Sequence, residues 1–137
     1  MKRIIKASSI FLLIIMVVSC VTTPYVIPEK YNLDDELEAV DRIYAPSISS
    51  WKKVDNHSII LRANVTDYYL LVLSRPMYKR ITGFSIGISS TGSLITPGFD
   101  RIFVGNPSGT DDYFIEKIYK LKGKEQAREI RERLRQS

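Results

Sequence analysis

The chain has a single cysteine among its 137 residues, Cys20, so no disulfide can form within it and the fold must be held by packing alone. The position of that cysteine is as informative as its number. Met1, Lys2, Arg3 and Lys6 make a positively charged start, and residues 10–18 follow without one polar side chain, the layout of a secretory signal peptide. A transmembrane helix needs roughly 20 apolar residues to cross the hydrocarbon core. This run is far shorter, so residues 1–19 read as a signal segment rather than an anchor helix.

Val17, Val18, Ser19 and Cys20 resemble, at every position, the lipobox of bacterial lipoprotein precursors. That resemblance implies cleavage between Ser19 and Cys20, a diacylglycerol thioether on Cys20 and acylation, typically with palmitate, of the new amino terminus. The membrane is then a partner through lipid, because two or more acyl chains hold a protein at a bilayer almost permanently whereas one does so only marginally. Within the same resemblance, an Asp after the lipidated cysteine retains lipoproteins at the inner membrane. Here that position is Val21, which favours the outer membrane, facing the periplasm of a Gram-negative cell envelope.

Removal of residues 1–19 leaves 118 residues, enough for one domain burying roughly two-thirds of its unfolded surface. Lys2, Arg3 and Lys6 leave with the signal and no acid does, so the formal charge falls from +5 to +2. That balance gives no reason to expect nucleic acid. Residues 20–31 carry Pro24 and Pro28 and no period, and read as a lipidated tether. Twelve residues at about 3.3 Å each keep the domain within roughly 40 Å of the bilayer.

Residues 32–137 read as one α+β, mainly β domain: a single antiparallel sheet, sandwich or partial barrel, with a short N-terminal helix and a C-terminal helix. The first helix is expected over 32–44, with Asn32 as N-cap, Asp34, Asp35 and Glu36 in the first turn, and Leu33, Leu37 and Val40 on one face. Its five acids spread around a solvated face instead of converging on a metal. From Ser47 strand periodicity takes over, with candidates at 48–54, 59–63, 68–73, 84–88, 94–96, 100–104 and 113–121. Residues 68–73 are apolar at every position, which places them at the centre of the sheet. Residues 94–96 read as the partner of 84–88. Residues 105–109 (Gly-Asn-Pro-Ser-Gly) read as a turn, because they lack the ending of a phosphate loop. After Gly123, Ala127, Ile130 and Leu134 form a narrow apolar stripe on a basic helix, with helix-spaced pairs Glu125–Arg128, Arg128–Glu132 and Glu129–Arg133.

Trp51, Tyr69-Leu70-Leu71, Leu73, Arg75-Pro76, Phe99-Asp100-Arg101-Ile102, Ile115, Ile118 and Leu121 resemble an uncharacterised family, a domain of unknown function in small Gram-negative envelope lipoproteins. Members of that family often carry cysteines where this chain has Met77 and Tyr113, so a disulfide of that kind is lost here. The resemblance brings no activity.

Little in the residues points to catalysis, a metal or a cofactor. His57 is the only histidine, it sits in the turn Asn56-His57-Ser58, and sequential neighbours on a strand point to opposite faces, so His57 and Ser58 do not make a triad. One histidine and one acylated cysteine leave no zinc set. Asp100 reads as a turn carboxylate accepting backbone hydrogen bonds. Two function classes remain. The first is a lipid-anchored, non-enzymatic binding or structural module with a protein or cell-wall partner. The second is a small hydrolase-like enzyme whose site converges from Trp51, Tyr68, Asp100 and Arg101. The basic helix is either a solvated cap or a contact for anionic headgroups or an acidic partner, with Arg128, Arg131 and Arg135 as its exposed cations.

Overall fold

A computed structural model describes residues 26–77, 85–106 and 109–137. The signal segment with Ser19, Cys20, the start of the tether and Phe84 lie outside the described residues. A single 3-10 turn (Glu29–Tyr31) leads into β1 (Glu38–Ala39), β2 (Ile43–Tyr44), β3 (Ile48–Lys53), β4 (Ser58–Ala63) and β5 (Asp67–Leu73). Then come β6 (Ile86–Ile88), β7 (Leu94–Ile95), β8 (Arg101–Asn106), β9 (Gly109–Leu121) and the helix α1 (Lys124–Gln136). Among the described residues, seven strands form one antiparallel sheet in the order β3-β4-β5-β9-β8-β6, with β1 added to β9. β2 and β7 pair separately. The architecture is a mainly β antiparallel half-barrel with one carboxyl-terminal helix.

β5 lies between β4 and β9, and Leu70 and Leu71 are both 0% exposed. Because strand residues alternate between faces, Tyr69, Leu71 and Leu73 join Ile59, Leu61 and Ala63 on one side, while Leu70 and Val72 join Ile60 on the other. Ile43, Ile95 and Met77 cover the first side. Ala127, Ile130 and Leu134 of α1, with Tyr31 and Leu37, cover the second. Burying Ile130 or Leu134 contributes about 1.5–3 kcal/mol each, several times a surface ion pair, so the stripe docks the helix.

The long strand β9 serves both sides, with Tyr113, Ile115 and Ile118 facing the first cluster and Tyr119 and Leu121 the second. Strict alternation would send Ile115 and Ile118 to opposite sides. A register shift opposite Val72 and Leu73 leaves Glu116 as an extra residue in β9 and resets the parity.

The amino-terminal segment departs from the helix expected over 32–44. One turn forms, with the N–H groups of Glu36 and Leu37 both donating to the Leu33 carbonyl, and the chain then extends into β1 and β2. Leu33 and Leu37 pack with the second cluster and Val40 with the first, so the presumed helix face is divided between the two sides of the sheet. An isolated helix of this length is marginal in water, whereas extension lets Glu38 and Ala39 pair with Lys120 and Tyr119 and lets Val40 donate to the Ile118 carbonyl.

Two strand expectations also change. β6 pairs with β8, whereas β7 turns away at Gly92 and Ser93, both left-handed (φ 60° and 64°), to pair with β2. Gly105 pairs with Thr110 and Asn106 with Gly109, so the strands consume most of the turn expected over 105–109. Met77 and Tyr113, where the family resemblance implies cysteines, are both buried in the first cluster.

Candidate functional site

Between α1, which packs against β5 and β9, and the β3–β4–β5 part of the sheet lies a cleft of about 330 Å³. Strand register places Ser50 beside Arg62 and Lys52 beside Ile60, and Arg62 in turn beside Tyr68. From the helix come Lys124, Ala127, Arg128 and Arg131, spaced i, i+3, i+4 and i+7 and therefore on one side of it, with Glu125 next to them. The helix start is fixed by Gln126, whose side-chain oxygen accepts from the Lys122 N–H at 2.7 Å. Ile60, Ala127 and Tyr68 give the cleft its apolar surface.

The cleft is strongly positive. Among its described lining residues Lys52, Arg62, Lys124, Arg128 and Arg131 stand against one carboxylate, Glu125, which Arg128 already pairs at 2.7 Å. The Arg62 guanidinium lies 5.7 Å from the centre of the Tyr68 ring, and its Nε donates to the Val65 carbonyl. That carbonyl belongs to a strained turn, in which Asn64 and Val65 both adopt left-handed backbone at φ 50° and 73°. Arg131 Nε is buried and has no hydrogen-bond partner among the described residues. A buried donor left without an acceptor costs about 1–3 kcal/mol, and more when charged. The cleft therefore suits oxygen-bearing anions.

Of the residues singled out by sequence, Trp51 and Tyr68 both border the cleft, while Asp100 and Arg101 do not. Trp51 is on the opposite parity from Ser50 and Lys52, and packs against the first cluster. Arg128 and Arg131 of the basic helix line the cleft, and Arg135 does not. Ser50, Lys52, Arg62 and Lys124 were not anticipated. The signal available was the pattern of polar residues on alternate positions of β3 and β4, which marks a shared side of the sheet without revealing what covers it.

Three other polar clusters tie separate elements of the fold together. Asp55 accepts from the Tyr31 hydroxyl at 2.6 Å and from the His57 N–H and the Ser58 hydroxyl at 2.9 Å, with Lys30 at 3.3 Å. Burial pushes the Asp55 carboxyl up, but these hydrogen bonds and the Lys30 charge outweigh it and leave the pKa below its ordinary value. Burial lowers the His57 pKa, and Lys30 assists, against the pull of Asp55. The Ser58 hydroxyl thus donates its hydrogen bond to Asp55. Asp100, 3% exposed, accepts from the Ser89 hydroxyl and the Thr96 N–H, both at 2.7 Å, as a turn carboxylate does. The Tyr119 hydroxyl accepts from the Leu33 N–H and lies 3.1 Å from both the Tyr31 carbonyl and Asp34, stitching the amino-terminal segment to β9. Asp34 in turn pairs with Lys117 at 2.7 Å.

No curated protein and no solved structure matches the chain. A family model does, across residues 1–137, and the chain accordingly belongs to the family of unknown function DUF6491.

Proposed function

We propose that this protein is a lipid-anchored, non-enzymatic binding module of the bacterial envelope, held to the membrane through Cys20 and taking an anionic partner in the cleft between α1 and β3–β5. The observation that carries the reading is the crowding of Lys52, Arg62, Lys124, Arg128 and Arg131 around a cleft whose one carboxylate is already paired. Like charges gathered at a concave surface raise the local concentration of counter-ions and of oppositely charged partners. The anchor rests on the lipobox Val17-Val18-Ser19-Cys20, and the outer membrane on Val21. An acidic protein or a cell-wall polymer with exposed acid groups suits both. Hydrolysis is disfavoured by the separation of Asp100 and Arg101 from Trp51 and Tyr68, and by the commitment of Ser58 to Asp55.

Two measurements test it. Fatty-acid labelling should stop and the precursor should accumulate when Cys20 is replaced by Ser, and efficient processing to a soluble product would overturn the anchor. Amine-reactive footprinting should find Lys52 and Lys124 protected in intact envelopes but reactive in the purified protein, with Lys120 and Lys122 as exposed controls. Equal labelling in both preparations would remove the cleft as the binding surface.

A further inference from the structure

We infer that the occupant of this cleft is an anion with at least two separated acid groups, phosphate or carboxylate, one of them seated on Arg131. The inference rests on the binding role proposed above and specifies its ligand. Three observations lead to it. The first is the distribution of charge over two walls, because Lys52 and Arg62 belong to the sheet whereas Lys124, Arg128 and Arg131 belong to the helix. A single acid group meets one wall and leaves cations on the other unmatched. The second is size. A cleft of about 330 Å³ that reaches from the sheet to the helix has room for more than one acid group. The third is Arg131, whose buried Nε lacks an acceptor.

The cations differ in what they can do. Arg128 is engaged by Glu125, and Arg62 by the Val65 carbonyl and the Tyr68 ring. Among the described residues, Arg131 has neither ion pair nor hydrogen bond at Nε. A guanidinium offers parallel N–H donors in a fixed fork that matches two oxygens of one carboxylate or phosphate, whereas lysine offers a point charge on a flexible stem. Arg131 is thus the seat that orients one acid group, and Lys52 and Lys124 are mobile charges that select for a second. Ile60, Ala127 and Tyr68 provide apolar contact for the body joining the two.

The test is calorimetric titration of the processed protein, extracted in nonionic detergent, with tripolyphosphate, citrate, orthophosphate and acetate at matched ionic strength. Tripolyphosphate or citrate should bind at least ten-fold more tightly than orthophosphate or acetate, and added salt should weaken that binding. Preference between the first two separates a phosphate-bearing source, such as a lipid headgroup, from a polycarboxylate one. Arg131→Lys, which keeps the charge and loses the fork, should weaken the better ligand about ten-fold, while Arg135→Gln, outside the cleft, should leave it unchanged. Thermal unfolding without ligand checks that both variants are folded. Equal affinity for orthophosphate and tripolyphosphate, or full affinity in Arg131→Lys, would overturn the inference and leave the binding role standing. Failure of all four anions to bind would take the anionic-partner reading with it.

Discussion

Arg133 grips Glu36 through two parallel bonds of 2.7 and 2.8 Å, so the carboxyl-terminal helix is clamped to the turn that precedes β1. Lys30 adds a second link by donating to the carbonyls of Leu134 and Ser137 at the end of α1, where cations complement the helix dipole. The acidic amino-terminal segment and the basic helix are therefore direct partners, and Arg133 turns to Glu36 in place of the Glu129 expected from helix spacing. Both side chains of the pair are nearly half exposed, which limits what the clamp contributes. Arg133→Ala should cost under about 1 kcal/mol in urea unfolding, and Ile130→Ala about 2–5 kcal/mol because it opens a cavity beneath the helix. A larger loss for Arg133→Ala than for Ile130→Ala would contradict the view that burial docks α1.

Val65 combines a β-branched side chain, left-handed backbone at φ 73° and a mostly exposed position. The strain is not offset by packing, yet the Val65 carbonyl accepts from Arg62 in the cleft. Val65→Gly keeps that carbonyl while removing the clash of a Cβ with its own backbone. We expect it to stabilise the fold by about 0.5–1 kcal/mol, the size of a relieved left-handed residue reduced by glycine's chain entropy. Urea midpoints of the two proteins compare directly, and a lower midpoint for the variant would show that the turn is not strained.

The buried carboxylate of Asp100 satisfies two part-buried donors, and its removal should be felt as a stability defect. Asp100→Ala leaves the Thr96 N–H and the Ser89 hydroxyl without their acceptor and should cost about 1–3 kcal/mol. Asp100→Asn retains one acceptor oxygen and should cost less. Anion binding in the cleft should be the same in Asp100→Asn and wild type. A variant that folds normally and loses that binding would make Asp100 part of the site.

The two clusters were legible wherever one strand carries its own alternation. Leu70 and Leu71 could be placed on opposite sides from residues 68–73 alone, and the Ala127, Ile130 and Leu134 stripe located α1. Two features were not legible. The segment holding Leu33, Leu37 and Val40 has helical spacing, but its structure is decided by the free edge of β9 and by the Tyr119 hydroxyl, more than 80 positions away. The cleft was hidden for a similar reason: the β3–β4 hairpin brings Lys52 and Arg62 to one side of the sheet, but Arg131 lies far along the chain and joins them only because α1 docks against β5 and β9. Glu116 is a subtler case, since the parity change it introduces is visible only once β9 is set against β5.

The turn around Asp55 predicts how the fold responds to acid. His57 has a folded pKa below its ordinary value, chiefly from burial, so the unfolded chain takes up a proton at a higher pH than the folded one does. Where the unfolded state binds more protons, stability rises with pH, and stability therefore declines as pH falls through about 6.5, the ordinary value for histidine. Asp55 is also depressed, its hydrogen bonds and Lys30 overcoming burial, so its contribution is present above about 4 and is lost as pH falls through the lower folded value. The two losses have the same sign and fall in separate windows. Unfolding free energies from urea titrations between pH 7.5 and 3, taken at steps of about 0.5, should show both. His57→Gln, which does not titrate, should flatten the limb between about 7 and 5 and leave the lower one. Asp55→Asn should be weaker at neutral pH, because an amide replaces the carboxylate that faces Lys30 and Tyr31, and should lack the lower limb. Parallel curves for wild type and His57→Gln across the upper window would show that the imidazole titrates alike in folded and unfolded chains.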